Sequence, residues 1–197
     1  MKKKMIYFLM ITIFIFLSAC GNTYESIQTE NQISVENNFQ VGIAKRTMIA
    51  DYPMYDTAQN LVDAADLVFT GKVENIRYEM LDIKMESGPD SMTGLEEASK
   101  VPYTIFEIKV SNVYKGNTTD ETIYLKRPGG NFDTIVYELE GATPINQGEE
   151  YLFVAQTFEN FYPSLVNVDQ AVYDLNAPAV LSEDNTITLS QILSLFE

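Results

Sequence analysis

Hydrophobic and polar positions change rhythm several times along this chain, and each change predicts a boundary. Lys2, Lys3 and Lys4 form a basic head before an apolar run from Met5 to Leu17 that is broken only by Thr12. From Gly21 to Asn38 the residues are polar, and Tyr24, Ile27, Ile33 and Val35 follow no period that would bury them together, so this stretch reads as a tether. A folded body is expected from Phe39 onward. Asp56 to Ala65 puts Ala58, Leu61, Val62 and Ala65 on one stripe behind a capping residue, which predicts a short amphipathic helix. Leu67 to Ile83 predicts a long strand with a bulge or bend at Gly71. Periodicity is then lost from Lys84 to Lys100, where Gly88-Pro89, Gly94 and acidic residues gather.

The second half is richer in strand signals. Pro102 to Tyr114 alternates, with Thr104, Phe106, Ile108 and Val110 facing one way and Glu107, Lys109 and Ser111 the other. Lys115-Gly116-Asn117 turns the chain into a strand over Glu121 to Arg127, and Pro128-Gly129-Gly130-Asn131 reads as a hairpin turn into Thr134 to Leu139, three strands in antiparallel series. The unbroken apolar run Tyr151 to Ala155 has the character of a strand buried on both faces. Weaker strand signals follow at Leu165 to Val168 and Thr186 to Leu189, and Ser190 is placed to cap a last helical turn through Phe196. The fold class expected is mainly β with peripheral helices: a small OB-like antiparallel barrel of about five strands.

Composition narrows the chemistry. A chain of 197 residues with 46% hydrophobic and 12% aromatic residues can bury one core, so one domain over 39–197 is expected. It has no His, no Trp and a single Cys, which excludes His-dependent nucleophile pairs, His-ligated metal centres and an intramolecular disulfide. With 13 Lys and Arg against 28 Asp and Glu, its surface repels phosphate backbones, and no nucleic-acid partner is expected.

The run 1–19 is too short to span a bilayer, which takes about 20 apolar residues, and it ends in Leu17-Ser18-Ala19-Cys20-Gly21. That ending resembles the lipobox of bacterial lipoproteins. The resemblance implies a signal peptide over 1–19, a diacylglyceryl group on the Cys20 sulfur, and a mature protein lipid-anchored on the outer face of the cytoplasmic membrane. Two acyl chains anchor durably where one does not. The tether 20–38 would hold the body about 20 to 25 Å from the bilayer. Loss of three leader lysines leaves 10 basic against 28 acidic residues, a mature net charge of −18.

A second resemblance spans about residues 64–157. Ala65-Asp66-Leu67-Val68-Phe69-Thr70-Gly71-Lys72-Val73, then Phe106-Glu107-Ile108-Lys109-Val110 with Val113-Tyr114-Lys115-Gly116, then Gly148-Glu149-Glu150-Tyr151-Leu152-Phe153 is similar to the barrel of netrin-like domains and of tissue inhibitors of metalloproteinases. That resemblance implies an OB-like barrel. The family's inhibitory device, an amino-terminal Cys held by disulfides against a protease zinc, has no counterpart, since Cys20 is expected to carry lipid and has no partner Cys. The chain also resembles surface lipoproteins of Gram-positive bacteria, a resemblance that implies no activity.

Candidate sites are few. Lys126-Arg127 beside Gly129, Gly130 and Asn131 joins adjacent cations to a Gly-rich turn in an acidic protein, and Phe158, Phe161 and Tyr162 supply aromatics suited to stacking on sugar rings or partner side chains. Together they are expected to form one binding surface at one end of the barrel. Acid pairs such as Glu149-Glu150 or Glu138 and Glu140 are read as solvated positions, the alternative being a carboxylate-based cell-wall glycoside hydrolase. Asp82, Glu86, Asp90, Glu96 and Glu97 offer oxygen ligands to calcium but lack the order of an EF-hand loop, and Met80, Met85 and Met92 are spaced too irregularly for a copper site. No cofactor is expected. The leading expectation is a non-catalytic binding module for an envelope protein or cell-wall component.

Overall fold

The computed structural model describes residues 43–82, 100–176 and 185–197, which lie within one compact unit, Gln40–Glu197. The signal run, Cys20, the tether and most of the acidic loop (83–99) lie outside the described residues. What is described is mainly β. The elements are β1 (Ala44–Met48), α1 (Ala58–Asp63), β2 (Leu67–Asp82), β3 (Lys100–Lys115), β4 (Thr122–Pro128), β5 (Gly130–Phe132), β6 (Ile135–Leu139), β7 (Glu150–Phe158), β8 (Phe161–Leu165), β9 (Val172–Asp174) and α2 (Leu189–Leu193), with a 3₁₀ turn at Ser194–Phe196.

Six strands form one sheet in the order β2-β3-β4-β8-β7-β9, and β2 also pairs with β7, so β2, β3, β4, β8 and β7 close a ring of pairings. The long strands make this possible. The first part of β2 pairs with β7 while its whole length pairs with β3, and register shifts at Val68/Phe69, Thr70/Gly71 and Val73/Asn75 curl it between the two. Gly71 is required at that bend, because a Cβ there would lie 2.6 Å from both the Ile108 side chain and the Lys109 carbonyl oxygen. The ring is thinnest where β4 meets β8 in parallel through the single pair Lys126↔Ser164.

The core fills the ring. Phe69 and Phe153 stack at 5.1 Å between centroids, and Tyr151 to Ala155 is buried throughout, as its unbroken apolar run predicts. α1 buries Leu61 and Val62 against the same core, capped by Thr57 and closed by the Lys115 ammonium donating to the Val62 carbonyl at 2.8 Å. Before α1, the irregular segment around Pro53–Tyr55 is fixed by side chains: Asn167 donates to the Pro53 carbonyl, and the Gln170 amide exchanges two bonds with the Tyr55 backbone, at 2.8 and 3.0 Å.

Four expectations are corrected. Pro128 to Asn131 is no hairpin turn: Gly129 and Gly130, at φ 99° and 142°, carry the chain out of the six-stranded sheet into a second sheet, β1-β6-β5. The tight turn comes later, at Asp133 with φ 43°, and Ile135 to Leu139 pairs with β5 and, in parallel, with β1 rather than with β4. Leu165 to Val168 does not continue as a strand, because the Asn167 carboxamide accepts from the Asp169 and Gln170 amides and turns the chain. Thr186 to Leu189 is no strand either; Thr188 and Gln191 form a capping box, so Thr188 caps α2 and Ser190 lies inside it.

Candidate functional site

β4 sets the geometry, since neighbouring residues of a strand point to opposite faces. Lys126 and Arg127 therefore part company. Across the sheet, Arg77, Ile105, Lys126 and Ser164 form one row on the outer face, and Tyr78, Thr104 and Arg127 form the adjacent row on the inner face. The binding surface expected from the sequence divides accordingly: Lys126, Phe158, Phe161 and Tyr162 lie together on the outside, while Arg127, Gly129, Gly130 and Asn131 line a cleft on the other side.

On the outer face β7 and β8 form a hairpin around Glu159 and Asn160, with Asn160 in the left-handed region at φ 63°, and the flanking pair Phe158↔Phe161 stays exposed, at 41% and 46%. The Lys126 ammonium lies 4.9 Å from the Phe158 ring centroid, 5.3 Å from Phe161 and 5.9 Å from Tyr103. Partial burial among these rings lowers its pKa from the ordinary lysine value.

Beside it, Arg77 is held by Glu79 at 2.6 Å, donates to the Tyr162 hydroxyl at 3.2 Å, and lies 5.0 Å from the Tyr124 ring. The bond to Glu79 raises the Arg77 pKa above its ordinary value. Ile105, between the two cations in the row, is fully buried although it faces outward. A cleft of about 500 Å³ opens here between Leu81, Lys126, Phe161 and Tyr162.

The inner cleft is about 700 Å³ and lies between the Tyr78, Thr104 and Arg127 row, β5–β6, and the segment Ala142–Asn146. Arg127 donates to the Thr143 carbonyl and stacks 5.1 Å from the Phe106 centroid. Loss of water lowers its pKa to about 10, against smaller opposing effects of the Tyr52 and Tyr151 hydroxyls. Gly130 passes so close to the sheet that a Cβ would lie 2.6 Å from the Tyr78 ring and 3.1 Å from the Thr104 hydroxyl. Tyr78 and Tyr137 make the aromatic wall, Phe132 lies 6.1 and 6.0 Å from these two rings, and Asn131 donates to the Tyr78 hydroxyl at 3.2 Å.

The acid candidates are dispersed. Glu149 and Glu150 are exposed at the entry to β7, Glu140 is exposed, and Glu138 pairs with Lys45 at 2.7 Å. Among the described residues no group of three or more acidic or Cys side chains is placed to hold a metal ion, and no helix is long and apolar enough to cross a membrane. Of the calcium and copper candidates, Asp82 and Met80 sit at the end of β2 and the others lie outside the described residues.

Sequence reasoning missed Arg77, Tyr103 and Tyr124. Alternation along β2, β3 and β4 carries the signal that they face outward, but only the strand register brings them beside Lys126. No known protein family and no curated protein matches the chain.

Proposed function

We propose that this protein is a lipid-anchored extracytoplasmic lipoprotein whose body, an OB-like barrel, binds a cell-wall component without chemistry of its own. The reading of the barrel is supported by the closed ring of pairings through β2, β3, β4, β8 and β7. The anchor reading rests on Leu17-Ser18-Ala19-Cys20 after a run too short to span.

The observation that carries the binding reading is the exposed pair Phe158 and Phe161 around Lys126. A two-residue hairpin holds the rings, so little conformational freedom is lost on contact. Flat rings stack on the apolar faces of sugars, and an ammonium between them receives an anionic group of the same polymer. A protein partner from the envelope would meet the same face.

Two experiments test the parts separately. Mass spectrometry of the mature amino terminus should find Cys20 first and diacylated; an unmodified Cys20 or cleavage elsewhere removes the anchor. Incubation with purified wall should retain the protein in the sediment and release no soluble sugar. Sugar release that is lost on substitution of one Asp or Glu would replace binding by hydrolysis.

A further inference from the structure

The inner cleft has a lining and a charge of its own, separate from the outer face. Its chemistry centres on Arg127. The Nη1 group bonds the Thr143 carbonyl, Phe106 stacks against the guanidinium, and the remaining N–H groups have no protein acceptor among the described residues. No carboxylate forms an ion pair with it among those residues, in a chain with 28 acidic side chains. Glu138, which also lines the cleft, is exposed and held by Lys45.

A half-buried cation without a counter-ion among the described residues is held at a free-energy cost, and the pKa lowered to about 10 expresses it. An anion entering the cleft would relieve that cost. The planar guanidinium, fixed by one carbonyl and one ring, presents its other donors in the fork that fits a carboxylate. Around it the cleft offers an aromatic and apolar wall from Tyr78, Tyr137, Val136 and Ile145, and an amide at Asn131. At about 700 Å³ it has the size of a small-molecule site, open on one side.

We propose that this cleft binds a small organic carboxylate, with the acid group on Arg127 and the body of the ligand against Tyr78 and Tyr137. The carboxylate comes either from a peptide carboxyl terminus or from a sugar acid. The site stands independently of the outer face, since Lys126 and Arg127 lie on opposite sides of β4.

The test follows the Arg127 Nε–H resonance of the full-length protein by NMR while four probes and one control are added in turn. N-acetyl-alanyl-alanine and glucuronate are the acids, N-acetyl-alanyl-alanine amide and glucose their neutral counterparts, and sulfate the control. One acid should shift the resonance saturably in the millimolar range, its neutral counterpart should not, and the acid that acts identifies the source. Arg127→Lys, followed through the backbone amides of Gly129 and Gly130 in the same cleft, should weaken that binding by about tenfold or more, because an ammonium lacks the fork. Should Arg127 variants fail to fold, Ala142→Phe, which narrows the cleft without touching Arg127, should weaken binding while the Arg127 resonance persists. No shift with either acid, an equal shift with the neutral counterpart, or an equal shift with sulfate overturns the assignment.

Discussion

On the outer face of the six-stranded sheet Lys126 lies half-buried among three rings, whereas one residue further along β4 Arg127 is held by a carbonyl and a ring inside a cleft. The outer arrangement contributes little to folding, since an exposed cation–π contact is worth about 0.5–1 kcal/mol. Its rings and charge remain available to a partner. The inner arrangement removes a charge from water without an ion pair among the described residues and leaves the guanidinium short of an acceptor there. Two adjacent cations thus belong to two different surfaces, because neighbouring residues of a strand point to opposite faces.

The largest effect expected bears on what lies beneath the outer face. Ile105→Ala should lose about 2–5 kcal/mol in denaturant unfolding, because a fully buried side chain leaves a cavity under Arg77 and Lys126. The same change at Lys109, outward and exposed on the same strand, should alter stability by less than about 0.5 kcal/mol. Equal, small losses at both positions would make the outer face an ordinary solvated surface.

Alkaline titration comes next and sharpens the inner side. Burial pushes the Tyr173 phenol up to about 12 and brings Arg127 down to about 10. The contribution of Tyr173 is complete below pH about 10, its unfolded value, and is lost as pH rises through about 12. Arg127 has the opposite sign: the cost of its charge is complete below about pH 10 and is relieved as pH rises above that. Raising the pH from 9 to 12 should therefore lower the unfolding free energy of wild type by about 2–3 kcal/mol relative to Tyr173→Phe, a difference that isolates the phenol from the opposing guanidinium. Parallel pH profiles for the two proteins would show that Tyr173 titrates normally.

Legibility in the sequence followed the same division. Strand alternation and the Tyr151 to Ala155 run placed β2, β3, β4 and β7 within a few residues of their observed bounds, because their periods reflect burial within one sheet. β1, all but one residue exposed, and β9, three residues long, carry too little apolar pattern to announce themselves. The Gly129-Gly130 pair was readable as a change of direction but not as a change of sheet, since φ above zero serves both and only the approach to Tyr78 and Thr104 decides between them. Phe158, Phe161 and Tyr162 were legible as candidate aromatics. Their neighbours Arg77, Tyr103 and Tyr124 come from strands 20 or more residues away, and a pairing register of that kind leaves no local trace.

A small effect on stability is also expected at Lys126, the cation of the outer face. Lys126→Ser should change the free energy of unfolding by less than about 1 kcal/mol, as exposed contacts of this type do. A larger loss in thermal or denaturant unfolding would make Lys126 a strut of the hairpin instead.

Sedimentation with purified cell wall puts the division of labour across β4 to its most direct test. Wild type, the double variant Phe158→Ala/Phe161→Ala and Arg127→Met are compared at equal concentration, after circular dichroism has established that each is folded. The outer face predicts that the double variant binds about tenfold more weakly or worse, with an unchanged melting temperature, while Arg127→Met sediments like wild type. Full retention of the double variant, or loss of sedimentation in Arg127→Met alone, would contradict the assignment of wall binding to the outer face.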